Sequence, residues 1–332
     1  MFRKSLFRKS TSYLVFMALS FFRCSQVFGQ AIELSVRDYP ALILKGQNLD
    51  VKISESPGAT IKIVGVSDKN RWVLKNSNGK GLLIEEILKE NKKDLMSELN
   101  SPKQKILIQT PSIPIQVSGY KVDLLVENMK KEIKVTSSFG ILKFIKTTGE
   151  LQVSLVNGDI AVETHTGKMI FDGEQLKLNV QNSLSDGEFK VQNLKLSLDK
   201  TQGNQQIYAY NGQVSLNQNS GSFFLEMTKG TLGAFTNQGR FEANLDDVNT
   251  QVRLSKDNEL ILKAKTGRIF VNTNNVSGIG LNLKSDEGDI YLPGSLKSYK
   301  NKQESTFKGR TPGDKTLTRI EVKSINAPII IK

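Results

Sequence analysis

Cysteine and histidine each occur once in the chain, and neither has a partner of its own kind. Cys24 falls within the first thirty-one residues. Beyond them there is no thiol for a disulfide, a nucleophile or a cysteine-ligated metal. His165, in "THTG", has no second imidazole to share a metal or a proton relay with, so it reads as an exposed turn residue. Long apolar runs are also missing: no stretch after residue 31 approaches the roughly twenty residues that cross a bilayer as a helix. There is no Gly-x-x-x-x-Gly-Lys-Ser/Thr loop for nucleotides. Nor is there the Gly-Gly-x-Gly-x-Asp pattern of calcium-wrapping nonapeptides. Here one glycine recurs, and aspartate follows it at Gly158 and Gly288 but not at Gly149, Gly167, Gly212, Gly221, Gly230 or Gly239. These absences leave no expected cofactor, metal or catalytic residue.

What is present begins with a leader. Arg3, Lys4, Arg8 and Lys9 precede an apolar run over residues 13–22, and the small residues Gly29 and Ala31 follow. That is the build of a secretory signal peptide spanning 1–31, and cleavage is expected after Gly29 or Ala31. Arg23 before Cys24 argues against a lipid anchor, which needs a small residue there. The whole chain carries 46 Lys+Arg and 33 Asp+Glu; without the five basic residues of the leader the balance is 41 to 33, a net charge of +8. Residues 32–332 are long enough to bury a large core, and they form one expected elongated domain. Their Val, Ile, Leu and Thr, with many Asn, Gly and Ser, point to an all-β chain.

Glycine keeps time along the middle of this chain. A step of nine residues visits Gly140, Gly149, Gly158, Gly167, Leu176, Ser185, Leu194, Gly203, Gly212, Gly221, Gly230 and Gly239, so nine of twelve slots are glycine. Chance would put about one glycine there, which makes the step a true repeat. Apolar residues follow at the second and fourth positions, as in Leu151 and Val153 or Ile160 and Val162. This is the alternation of a half-buried strand. Nine is odd, so an unbroken strand would swap its faces at every repeat, and the chain is expected to turn at each glycine. Asn157 and Asn211, just before two of them, support the turns. Two architectures fit: a parallel β-solenoid (β-helix) of stacked coils with glycine corners, or an antiparallel meander or sandwich. The lost glycines between Leu176 and Lys200 predict a bulge or widening. Residues 84–104 break the strand pattern and are read as a helix or loop beside a sheet edge, with Leu88, Leu95 and Leu99 on one face and Pro102 as its stop.

Several segments together resemble a family. "GLNLKSDEGDIYLP" (280–293), the closing "IEVKSINAPIIIK" (320–332), "LDVKISESPGATIKIVG" (49–65), "KILIQTPSIPIQVSG" (105–119) and residues 133–167 are similar to bacterial cell-envelope domains grouped as "putative adhesins", which are related to auto-transporter-adhesin heads. The resemblance implies a β-solenoid, an envelope or surface role and no catalytic residues. It also implies an alternative role as an envelope-stress sensing or regulatory module.

The charged residues are the remaining candidates for chemistry. Asp246 and Asp247 are strand neighbours that point to opposite faces, and Asp286, Glu287 and Asp289 crowd one corner. Neither set pairs two carboxylates across a sugar as glycoside hydrolysis requires, so a polysaccharide-degrading β-helix is the weaker reading. A shuttle for envelope lipids would need an open apolar groove. Basic residues are densest over 297–323: Lys297, Lys300, Lys302, Lys308, Arg310, Lys315, Arg319 and Lys323 stand against Glu304, Asp314 and Glu321. For an exported chain this favours an anionic polysaccharide or lipid headgroups over nucleic acid. The expectation is an exported, non-enzymatic binding protein of the periplasm, outer-membrane surface or extracellular space.

Overall fold

The computed structural model describes residues 31–66, 68, 71–77, 79–87, 103–255, 258–273, 276–294, 296–301, 304–313 and 317–332. The leader, apart from Ala31, lies outside them. So does most of the segment read as a helix or loop: its first residues complete the strand Leu82–Glu86, its last begins Gln104–Thr110, and 88–102 are not described.

The nine-residue step is half of the true repeat. Strand Ile115–Glu127 pairs in parallel with Ile133–Gln181, Ile115 opposite Ile133 and Glu127 opposite Ile145. The same offset of eighteen carries the ladder through Leu184–Asp199, Gln205–Asn217 and Ser220–Leu254, with Gly187 opposite Gln205 and Gln205 opposite Phe223. It grows to nineteen where Arg240 meets Glu259. The fold is therefore a parallel β-solenoid with two strands per coil.

The parity problem is solved by the corners. In one coil Leu151, Val153 and Leu155 are buried, then Ile160 and Val162, then in the next coil Met169 and Phe171. Odd positions give way to even ones and back again, so two odd steps restore the phase and like residues stack on like. All of these side chains join one continuous core. Each large apolar side chain so buried contributes roughly 1.5–3 kcal/mol, which is the stabilisation a chain without disulfides relies on. Phe171 stacks on Phe189 with centroids 5.4 Å apart, and Phe223 on Phe241 at 6.4 Å. Between these pairs Gly187 leaves a gap that the Gln205 side chain enters, donating from Nε2 to the Ser185 carbonyl at 2.6 Å.

The expected widening between Leu176 and Lys200 is absent, since the register runs unbroken there. Leu176 and Leu194 turn inward and fill the core where other coils have glycine. The glycine slots also divide into two kinds. Gly149, Gly167, Gly203, Gly221 and Gly239 at one corner have positive φ, whereas at the other corner Gly230 does but Gly140 and Gly158 do not. At these two it is the neighbouring coil that forbids a side chain: a Cβ would stand 2.1 Å from the carbonyl oxygen of Val122 or Gly140.

Both ends depart from sequence order. Leu42–Gly46 lies between Leu82–Glu86 and Ile115–Glu127, and Leu49–Glu55 between Gln104–Thr110 and Ile115–Glu127. The first coil in sequence is thus the second in space. Trp72–Asn76 and Thr60–Val64 then cover the outer coil in antiparallel fashion. At the other end Arg319–Ser324 inserts between Glu259–Thr266 and Gly280–Ser285, and the hairpin Tyr299–Asn301/Glu304–Arg310 covers Gly280–Ser285. Antiparallel caps take up backbone groups that would otherwise template further strands.

Candidate functional site

One edge of the solenoid is polar inside. Lys146, Thr164, Asn182, Lys200, Gln218 and Thr236 recur every eighteen residues with φ of +50 to +61°, and they start the corner that the positive-φ glycines close. The residue after each of them points inward: Thr147, His165, Ser183, Thr201, Asn219 and Asn237 are all buried. They bond along the axis. Thr147 Oγ1 lies 3.0 Å from His165 Nδ1, and the His165 amide donates to Ser183 Oγ at 3.1 Å. The Thr201 amide and hydroxyl donate to Asn219 Oδ1 at 2.8 and 2.7 Å. The Asn219 amide donates to Asn237 Oδ1 at 2.9 Å. The corner carbonyls and amides that the turn removes from the ladder are satisfied this way.

His165 is therefore not an exposed turn residue; it is 1% exposed and belongs to this column. Burial pushes its imidazole below the ordinary value of 6.5, against smaller opposing effects of backbone groups at Lys168, Gly149 and Thr147. The folded chain then holds a neutral ring. Below about pH 6.5 the unfolded chain binds the proton more readily, so this contribution to stability is complete above that pH and declines as the pH falls. His165→Thr should flatten the dependence of melting temperature on pH between about 6.5 and 5. Glu55, Glu188 and Asp289 are held below the ordinary carboxylate range, chiefly by hydrogen bonds from Lys130, Lys190 and Lys300, so their contributions are lost mainly at lower pH than this window. An unchanged pH profile in the variant would refute the assignment.

Outside the core, the side chains that alternate with buried ones form columns along the axis. On the strands that follow the glycine-rich second corner, Lys177, Lys195, Gln213 and Thr231 stack in register. Beside them run Asn179, Ser197, Ser215 and Gly233. Phe270, on the short strand Ile269–Asn272 opposite Gln251, and Arg268 just before that strand continue the face. Together they line an open trough of about 1210 Å³ whose lining includes Lys177, Lys195 and Arg268 but no aspartate or glutamate. Ser197 and Ser215 are its low floor, and at Gly233 the Phe235 ring lies where a side chain would stand. Asp199, just beyond the lining, accepts a hydrogen bond from Asn217 Nδ2 at 2.6 Å.

The basic residues of 297–323 are dispersed by the fold. Lys302 and Lys315 lie outside the described residues. Lys300 pairs with Asp289 at 2.5 Å, and Arg310 donates to the Gly278 carbonyl at 2.5 Å. Arg319 and Lys323 both approach Glu321, at 3.7 and 3.1 Å. Lys297 is exposed before the capping hairpin and Lys308 is exposed on its second strand. Lys323 stacks between Lys263 and Lys284, three lysines in register, beside a second open pocket of about 760 Å³ that also holds Glu226, Asp246 and Asp286. Of the acidic residues, Asp246 pairs with Lys265 at 3.2 Å and Asp286 with Lys284 at 3.3 Å. Among the described residues no group of three or more His, Cys, Asp or Glu could hold a metal ion, and no helix is long and apolar enough to cross a membrane.

Sequence reasoning missed both the inner polar column and the trough. Each had a signal at a spacing of eighteen: a polar residue two before the glycine in Thr147-Thr-Gly149, Asn219-Ser-Gly221 and Asn237-Gln-Gly239, and a small one at Ser197, Ser215 and Gly233.

A two-strand parallel solenoid with capped ends and continuous outer faces is the class of protein these features define. The chain belongs to the Toastrack DUF4097 family, whose model matches residues 41–324. None of the curated proteins matches it. Among solved structures it is similar to a "putative cell adhesion protein" from Clostridium sporogenes ATCC 15579, with 11% identity, 91% of this chain and 97% of that chain covered, and a TM-score of 0.23.

Proposed function

We propose that this chain is an exported, non-enzymatic binding scaffold of the cell envelope or surface, adhesin-like in role. The observation that supports it best is the in-register repetition of outward side chains, at a constant offset of eighteen, along the parallel strands between Ile115 and Phe235. Such a body offers one rigid surface to an extended partner and loses little conformational entropy on binding it. Its partner is an envelope or surface polymer with anionic character, such as a polysaccharide or lipid headgroups, and the basic residues of 297–323 are a proposed contact.

Fractionation followed by incubation of the purified protein with isolated envelope material tests this. The protein is expected outside the inner membrane and retained on the envelope at low salt. Retention should fade as the screening length falls from about 10 Å at 0.1 M to 3 Å at 1 M. Lys297, Lys300 and Lys308 are exposed, so reversing all three to glutamate should leave the melting temperature within a few degrees. Low-salt retention should drop severalfold. A cytoplasmic protein, or a parent chain not retained at any salt, would defeat the functional reading. A reversed variant that binds like the parent would defeat only the contact.

A further inference from the structure

We propose that the trough over Lys177, Lys195, Ser215, Gly233 and Arg268 binds a linear anionic glycan lying along the solenoid axis; this rests on the binding-scaffold reading but assigns a different surface from the basic C-terminal segment. Three features select the occupant.

The first is shape. The trough crosses the strands from the coil of Lys177 to that of Arg268, in-register partners linking each coil to the next over most of the way. Five steps at about 4.8 Å make a channel roughly 24 Å long. Its floor is kept low by Ser197 and Ser215, while at Gly233 the Phe235 ring fills the place of a side chain, so the open part suits a narrow chain.

The second is charge. Lys177 and Lys195 mark one end and Arg268 the other, with no carboxylate in the lining and no ion pair to any of the three among the described residues. Elsewhere on this molecule exposed cations are commonly matched, as Lys265 is by Asp246 and Lys300 by Asp289. A cationic trough without internal counter-charges is complementary to a polyanion.

The third is the chemistry between the charges. Asn179, Gln213, Thr231, Asn249 and Gln251 offer amides and hydroxyls, which match the hydroxyl groups of sugars. Single-stranded nucleic acid calls for successive aromatic platforms; here Phe270 stands at one end and Phe235 is folded over Gly233, and no run of rings lines the coils of Lys177, Lys195 and Gln213. A membrane surface calls for a protruding apolar face, not a recessed polar one.

The test uses immobilised polygalacturonate and dextran sulfate, which separate carboxylate from sulfate as the anion. Neutral dextran, single-stranded DNA and anionic phospholipid vesicles are the comparisons. The parent protein should bind at least one of the two polyanionic glycans at low salt and none of the comparisons with similar strength. Lys177→Ser/Lys195→Ser/Arg268→Ser should weaken that binding by roughly tenfold or more, since charge-assisted contacts are lost. Ser215→Trp, which fills the floor with no change of charge, should also weaken it. The three cations and Ser215 are exposed, so each variant should melt near the parent. Equal binding by the triple variant, no effect of Ser215→Trp, or equal or stronger binding to DNA or vesicles that the triple variant loses would overturn the proposal. If the parent is held on envelope material yet binds neither glycan, the scaffold reading survives and the trough assignment does not.

Discussion

Gly230→Val is expected to lower stability by at least about 3 kcal/mol, with Gly221→Val close behind. Two costs act together. Gly230 has φ +129° and Gly221 φ +124°, conformations that a β-branched residue rarely adopts. A Cβ on Gly230 would also stand 1.8 Å from the carbonyl oxygen of Gly212, and one on Gly221 2.1 Å from that of Gly203. These oxygens belong to the backbone of the preceding coil, so no rotamer change relieves the clash. The coils must part, and parting them disturbs the ladder and core on both sides. Gly294 is the control: its φ is +63°, but nothing lies within 4 Å of its Cβ position. There Val should cost about 1–2 kcal/mol. Melting by circular dichroism separates the sites, and equal losses at Gly230 and Gly294 would show that close stacking of the corners contributes nothing.

Local pattern made the strands legible, because alternation in stretches such as Leu151 to Leu155 depends only on which face is buried. The eighteen-residue coil was not legible in the same way. Parallel and antiparallel pairing place the same apolar residues on the same face, and the choice is made between strands that are far apart in sequence. The reordered ends show this most clearly. Leu42–Gly46 has the alternation of an ordinary strand, and nothing within it says that its neighbours will be Leu82–Glu86 and Ile115–Glu127. His165 misled for a related reason. Considered alone, a polar residue beside a glycine is an exposed turn; considered every eighteen residues, it belongs to a column with Thr147 and Ser183. Charge density along the chain was a weak guide to charge density in space. Arg319 and Lys323 fold around Glu321, while Lys177 and Lys195, eighteen residues apart, become neighbours.

Asn219→Ala should cost about 3 kcal/mol, a large loss for the removal of one short polar side chain. Its Oδ1 accepts from both the amide and the hydroxyl of Thr201, and its Nδ2 donates to the Leu198 carbonyl at 3.0 Å and to Asn237 Oδ1 at 3.1 Å. Alanine strands these groups where Asn219 is only 1% exposed and Thr201 wholly buried, and each unsatisfied buried group costs about 1–3 kcal/mol. Asn237 repeats the geometry one coil on, with its Nδ2 donating to the Leu216 carbonyl at 3.2 Å. Because Asn219 gives two of its hydrogen bonds to Asn237, the single losses should not add. A double-mutant cycle on Asn219→Ala and Asn237→Ala should show a coupling of about 0.5–3 kcal/mol. Asn219→Thr keeps one acceptor for the Thr201 amide and should recover part of the loss. The column would then serve as the polar counterpart of the apolar core: it fixes the register of one coil on the next, because a slip of one residue would take every amide away from its partner. Strict additivity in the cycle, with single losses under about 1 kcal/mol, would instead assign the register to the apolar core alone.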